Sequence, residues 1–201
     1  MKTDDKTQLP RLIIDTREQT PLEFRHLESE CGTLQSGDYS AKGIEESFCV
    51  ERKTVADLAG SLTRERARFM REMHRLRGFT NAYLLIIGRD IDLAALVAQG
   101  RANITQIEHS LMAIQARYGV HVVWVDTPED AALLVESWAF CAYREAMKPA
   151  GVMLPFPPWV TGTLKARVSR KDIAGVDTYR KESKKIAEEN KIFLQAFARA
   201  R

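Results

Sequence analysis

The sequence predicts an α/β protein built on a sheet flanked by helices. Three observations carry this. Short strand-like runs lead, before residue 54. A helical apolar period then alternates with continuous apolar runs. Two of those runs, residues 82–87 (AYLLII) and 120–125 (VHVVWV), lack regular polar alternation, as strands covered on both faces do.

Taken in order, residues 11–15 (RLIID) read as a short buried strand, and 21–31 have no regular period. Residues 37–40 and 48–53 read as two strands joined by a turn near Lys42-Gly43. From Thr54 the period is helical, with Val55, Leu58 and Leu62 on one face. A second helix spans 64–77, with Ala67, Met70, Met73 and Leu76 as its apolar stripe and Gly78 as its stop. Residues 90–98 form a short helix. Asn103 caps the next, whose face is Ile104, Ile107, Leu111, Ile114 and Tyr118. Strand 120–125 is expected to be buried, and His121 with it. Trp124 and Trp138 are expected in the core. Thr127-Pro128-Glu129-Asp130 combines a cap, a first-position proline and acids, and starts a helix that runs to about Met147.

The domain is expected to span 1–148. Residues 149–160 hold four prolines and a glycine and read as a linker. Residues 161–201 read as a basic helical extension, with Ile186, Phe193, Leu194 and Phe197 as an apolar stripe in need of a partner. This extension holds eleven Lys/Arg against five Asp/Glu, while the first 160 residues hold nineteen against twenty-two. The basic excess therefore sits in the tail, the usual place of an arm that binds a polyanion.

Cys31, Cys49 and Cys141 are widely spaced and form no CxxC pair, which argues against a disulfide framework or a structural zinc site. The start is polar and no apolar run approaches membrane-spanning length, so the expected location is cytoplasmic, with no membrane partner. His26, His74, His109 and His121 show no ligand spacing, and no acyl-transfer triad is visible.

The chemistry concentrates at Gly37-Asp38 and Glu51-Arg52-Lys53. On a strand, Glu51 and Lys53 point to the same side. A hairpin back to Asp38 brings a second carboxylate alongside. Two carboxylates and an ammonium on one surface suit a divalent cation with a water-orienting group. Asp38 and Glu51 would hold Mg²⁺ or Mn²⁺, the main-chain carbonyl of Arg52 can add a third oxygen, and Asp15 can join the cluster. Taken alone, Glu51-Arg52-Lys53 also fits an exposed strand of mixed charge. The helix 64–77 adds Arg64, Arg66, Arg68, Arg71, Arg75 and Arg77, which can contact phosphates or form a solvated face.

Further residues narrow the reading. Asp15-Thr16-Arg17-Glu18 ends the first strand. Gly37-Asp38 is followed by Glu51-Arg52-Lys53 and then by Asp57. Gly60-Ser61-Leu62 and Arg66 come next. In this order and spacing, from Leu12 to about Gly88, the chain resembles the XPF family of structure-selective endonucleases, a branch of the restriction-endonuclease-like superfamily. The resemblance implies a restriction-endonuclease-like mixed sheet flanked by helices. It implies metal ligation by Asp38 and Glu51, and catalytic roles for Lys53 and Asp15. It implies supporting roles for Arg17, Arg52 and Asp57. DNA is the implied partner, branched or irregular DNA the implied substrate, and a homodimer the implied assembly. The arginines 64, 66, 68, 71 and 75 are the expected DNA contacts.

Two positions depart from the family pattern: Met70 stands where many members carry glutamine, and Ile87 precedes Gly88 where an acid is common. The extension is too short for the family's tandem helix-hairpin-helix module, so a small stand-alone phage, prophage or bacterial form is expected. The alternative is a non-catalytic DNA-binding or scaffold subunit of the same fold. Such subunits typically lose the acidic signature, which this chain keeps. RNA as the substrate remains open from the residues.

Overall fold

A computed structural model describes residues 9–160. The order of elements is β1 (Leu12–Asp15), β2 (Ser29–Gly32), β3 (Tyr39–Ala41), β4 (Phe48–Thr54), α1 (Val55–Leu62), α2 (Arg66–Leu76), β5 (Asn81–Ile87), α3 (Asp90–Ala98), α4 (Ile104–Tyr118), β6 (His121–Val125) and α5 (Pro128–Met147). A short 3-10 turn, Lys148–Ala150, follows. The chain divides into two compact units, residues 1–155 and 156–201. The expected basic extension 161–201 lies outside the described residues.

The six strands form one mixed sheet in the order β2-β1-β3-β4-β5-β6. β1 runs parallel to β2, and β4, β5 and β6 are mutually parallel; β3 is antiparallel to both its neighbours. The two sheet faces are covered differently. Leu84 and Ile86 of β5 join Leu58 and Leu62 of α1, Phe69 and Met73 of α2 and Ile107 and Ile114 of α4 in one apolar cluster. On the opposite face Tyr83 stacks on Trp138 of α5 at 4.1 Å between ring centroids. Alternation along β5 thus feeds two cores.

Local chemistry fixes the helix starts. The side chains of Thr54, Asn103 and Thr127 accept the N–H groups of Asp57, Gln106 and Asp130, each satisfying an otherwise orphaned donor. Gly119 ends α4 in the left-handed region.

Four expectations need correction. β2 lies within the stretch read as irregular. It is a four-residue edge strand, SECG, whose side chains are half-buried or exposed, so no apolar alternation marks it. The second helix begins at Arg66, after a turn over 63–65, and its buried stripe is Phe69, Met73 and Leu76, with Ala67 exposed. β6 is the other edge, so only Val125 is fully buried and His121 is exposed. Trp124 and Trp138 are half-buried. The indole N–H of Trp124 donates to the carbonyl of Gly88.

Candidate active site

The sheet register builds the site. Asp15 on β1 donates its backbone N–H to the carbonyl of Asp38 at 2.8 Å. The β3–β4 register pairs Tyr39 with Val50, so one step further Asp38 faces Glu51. Asp15, Asp38 and Glu51 therefore occupy one row across β1, β3 and β4, and their side chains share a face. Glu51 pairs in turn with Leu84, which places that face on the side of α1 and α2. Lys53, two residues along β4, ion-pairs with Glu51, and its ammonium lies 5.8 Å from the centre of the Phe69 ring.

The three acids have different environments. Asp15 is 2% exposed. Its Oδ1 accepts from the backbone N–H and Nε of Arg17 at 2.9 and 2.6 Å, and its Oδ2 accepts from the Leu34 N–H and Arg17 Nη2 at 2.7 and 3.1 Å. Burial alone would raise its pKa, but these donors outweigh it and hold the carboxyl below the ordinary range. Asp15 is thus a saturated anchor that fixes Arg17. Asp38 accepts the Arg52 N–H at 2.7 Å. Burial, and then the nearby charge of Glu51, push it up to about 7. Burial likewise raises Glu51, with Lys53 pulling the other way. Lys53 itself is raised: burial works against its charge, but Glu51 and then Asp38 favour it. Two like-charged carboxylates in a shared, poorly solvated site form a surplus of negative charge that a cation would relieve.

A second ion pair braces the row from the side. Arg52 forks onto Glu18, Nε to Oε2 at 3.1 Å and Nη2 to Oε1 at 2.9 Å. Glu18 also accepts the Thr20 N–H at 2.8 Å. Arg52 thereby ties the loop after β1 to β4. Gly37 is required just before Asp38. Its φ is +77°, and a Cβ there would lie 2.9 Å from the Val50 carbonyl oxygen and against the Cys49 sulfur.

Two adjoining grooves open on this row. The first, about 460 Å³, is lined by Asp15, Arg17, Gln19, Asp38, Glu51, Lys53, Arg68, Glu72 and Arg75 among others. The second, about 480 Å³, shares Arg17, Gln19, Asp38, Lys53 and Arg68, and adds Glu18, Arg52, Asp57, Ser61, Arg64 and Arg101. Asp57 sits at the rim, its Oδ2 accepting the Thr54 hydroxyl at 2.7 Å as part of the α1 cap. Of the expected DNA contacts, Arg64, Arg68 and Arg75 line the grooves. Arg66 does not: its guanidinium donates to Ser110 Oγ at 2.9 Å and turns toward α4. Arg71 is exposed outside both grooves. Reading the sequence missed Glu18 as a partner of Arg52, Glu72 as a cleft acid and Arg101 as a groove cation. Glu18 had a signal, its place in Asp15-Thr16-Arg17-Glu18; Arg101 had none.

Among the described residues no group of three or more His, Cys, Asp or Glu is arranged as a metal cage. Asp38 and Glu51 supply two carboxylates, which fits an ion that keeps several waters and binds its polyanionic ligand directly.

The mixed six-stranded sheet flanked by helices has the XPF-type nuclease fold. The chain belongs to the ERCC4 domain family, which it matches over residues 9–137. It is similar to the structure of XPF from Aeropyrum pernix, with 25% identity and a TM-score of 0.55 over 74% of this chain and 68% of that one. The same archaeal protein in complex with DNA matches at 25% identity and a TM-score of 0.52, over 70% of this chain and 66% of that one. The chain thus spans about two thirds of the solved proteins it resembles. No curated protein sequence matches it. No helix among the described residues is long and apolar enough to cross a membrane.

Proposed function

We propose that this chain is a metal-dependent DNA endonuclease that hydrolyses phosphodiester bonds in branched or irregular DNA and leaves a 5′-phosphate. The observation that carries the reading is the Asp38–Glu51 pair, two neighbouring carboxyls with raised pKa values beside the Lys53 ammonium. Asp38 and Glu51 would hold Mg²⁺ or Mn²⁺. The ion, when bound, lowers the pKa of water and polarises a phosphoryl oxygen.

The protein's own groups do the rest. Lys53, fixed by Glu51 and Phe69, orients the attacking water and offsets charge developing at phosphorus. Arg17, aimed by its fork onto Asp15, faces the same cleft and counters the phosphate. Arg52 fixes β4 against the loop after β1, and its backbone N–H orients Asp38. Arg64, Arg68 and Arg75 hold the flanking backbone without reading sequence.

The test is cleavage of labelled flap, fork and duplex DNA with Mg²⁺ or Mn²⁺, set beside Asp38→Ala, Glu51→Ala and matched RNA. Wild-type cleavage should fall by about 10²-fold or more in either variant. Cleavage that both variants retain, or no cleavage of any DNA with either metal, rejects the proposal. DNA binding in EDTA without nicking would favour the scaffold alternative.

A further inference from the structure

We propose that the second groove is a subsite for the phosphate of a nucleotide flanking the scissile bond, clamped between Arg64 and Arg101. This assignment rests on the nuclease reading above. The two grooves share Asp38 and Lys53, so a strand laid across the acid row from the first groove leaves through the second.

The charges there are unequally committed. Arg17 is paired with Asp15, Arg52 with Glu18, Lys53 with Glu51 and Arg68 with Glu65. Among the described residues, Arg64 and Arg101 have no carboxylate partner. They approach from different places. Arg64 comes from the turn between α1 and α2, and Arg101 from the loop between α3 and α4. Gly60 and Ser61 line the groove with them, so little side-chain bulk obstructs entry.

Two guanidinium groups without acid partners, lining one groove, suit an anion with several acceptor oxygens. Arg64 and Arg101 line only the second groove, which meets the acid row through Asp38 and Lys53, so that anion is assigned to a neighbouring phosphate of the same strand rather than to the reacting one. The subsite therefore selects a polynucleotide strand over a small phosphodiester.

The experiment measures binding of the full chain to a short fluorescein-labelled single-stranded DNA in EDTA across a salt series. Arg101→Gln should weaken binding about fivefold near 0.1 M salt and lower the slope of log K against log salt by about 0.7, the counterion release of one single-strand phosphate contact. Arg64→Gln should do the same. Arg101→Lys should keep the slope. Arg117→Gln, an exposed charge on α4 outside both grooves, should change neither. Wild-type slopes in both Arg64→Gln and Arg101→Gln overturn the subsite, as does an equal loss in Arg117→Gln. The same proteins are then assayed for cleavage with Mg²⁺ or Mn²⁺. A wild type that shows the Arg101-dependent slope but never cleaves rejects the nuclease reading and keeps the subsite. Cleavage with no Arg101 effect on binding does the reverse.

Discussion

Asp38 concentrates the physical tension of the site. Its carboxyl is poorly solvated and faces Glu51, and both effects raise its pKa from an ordinary 3.8 to about 7. The folded protein therefore binds this proton more tightly than the unfolded chain does. The stability it brings is full below about pH 4 and is lost as pH rises through about 7. Glu51 shifts in the same direction. Asp15 and Glu18 shift downward and lose their contribution only in acid, below this window. Metal-free protein should thus be less stable near pH 8 than near pH 5, on the order of 1–3 kcal/mol. Asp38→Asn should remove most of that slope, because its amide oxygen still accepts the Arg52 N–H without adding a charge. Adding Mg²⁺ or Mn²⁺ at the higher pH should raise the urea midpoint of the wild type and leave the variant nearly unmoved. A wild type whose stability is flat between the two pH values would remove the electrostatic account of the pair.

At the scale of elements, the helix α5 does more than cover a sheet face. Its Glu136 is 1% exposed, and Oε1 accepts three successive backbone N–H groups, from Arg25, His26 and Leu27, at 2.9, 2.6 and 2.9 Å. These donors belong to the segment that leads into β2, so one side chain pins an irregular stretch onto a helix over a hundred residues away. Glu136→Ala should cost about 2–4 kcal/mol and Glu136→Gln about half of that, since an amide oxygen can still accept. Urea unfolding measures the cost. Hydrogen exchange should rise first over residues 25–32. Uniform exchange across the sheet would mean that the contact does not pin this segment. The same contact explains part of what the sequence concealed. Helices with local caps, such as Thr127-Pro128 and Asn103, are readable because their signals lie within four residues. β2 and β6 are sheet edges, and their burial depends on which strand ends beside them. The grouping of Asp38 and Glu51 with Lys53 on one face was legible through hairpin spacing and strand alternation. The diversion of Arg66 to Ser110 and the arrival of Arg101 depend on contacts across dozens of residues, for which one sequence offers no pattern.

Across the whole chain, charge is unevenly spread. The first 160 residues carry a slight acidic excess and the grooves pair Arg17, Arg52 and Arg68 with acids, while residues 161–201 hold eleven Lys/Arg against five Asp/Glu. A domain with little net charge of its own gains little general attraction to a polyanion, because affinity for DNA at moderate salt grows with the number of phosphates neutralised. The tail is therefore proposed to supply attraction and the row to supply chemistry. Ending the chain at Val160 should weaken DNA binding and lower the salt slope by about 2–4. Turnover at saturating DNA should stay close to that of the full chain while KM rises, the mark of binding lost equally from ground and transition states. Cleavage of a short fork across a substrate series, at two salt concentrations, separates these quantities. An unchanged slope would assign the attraction to Arg64, Arg68, Arg75 and Arg101 alone. A drop in turnover with KM constant would instead place tail residues in the reaction itself.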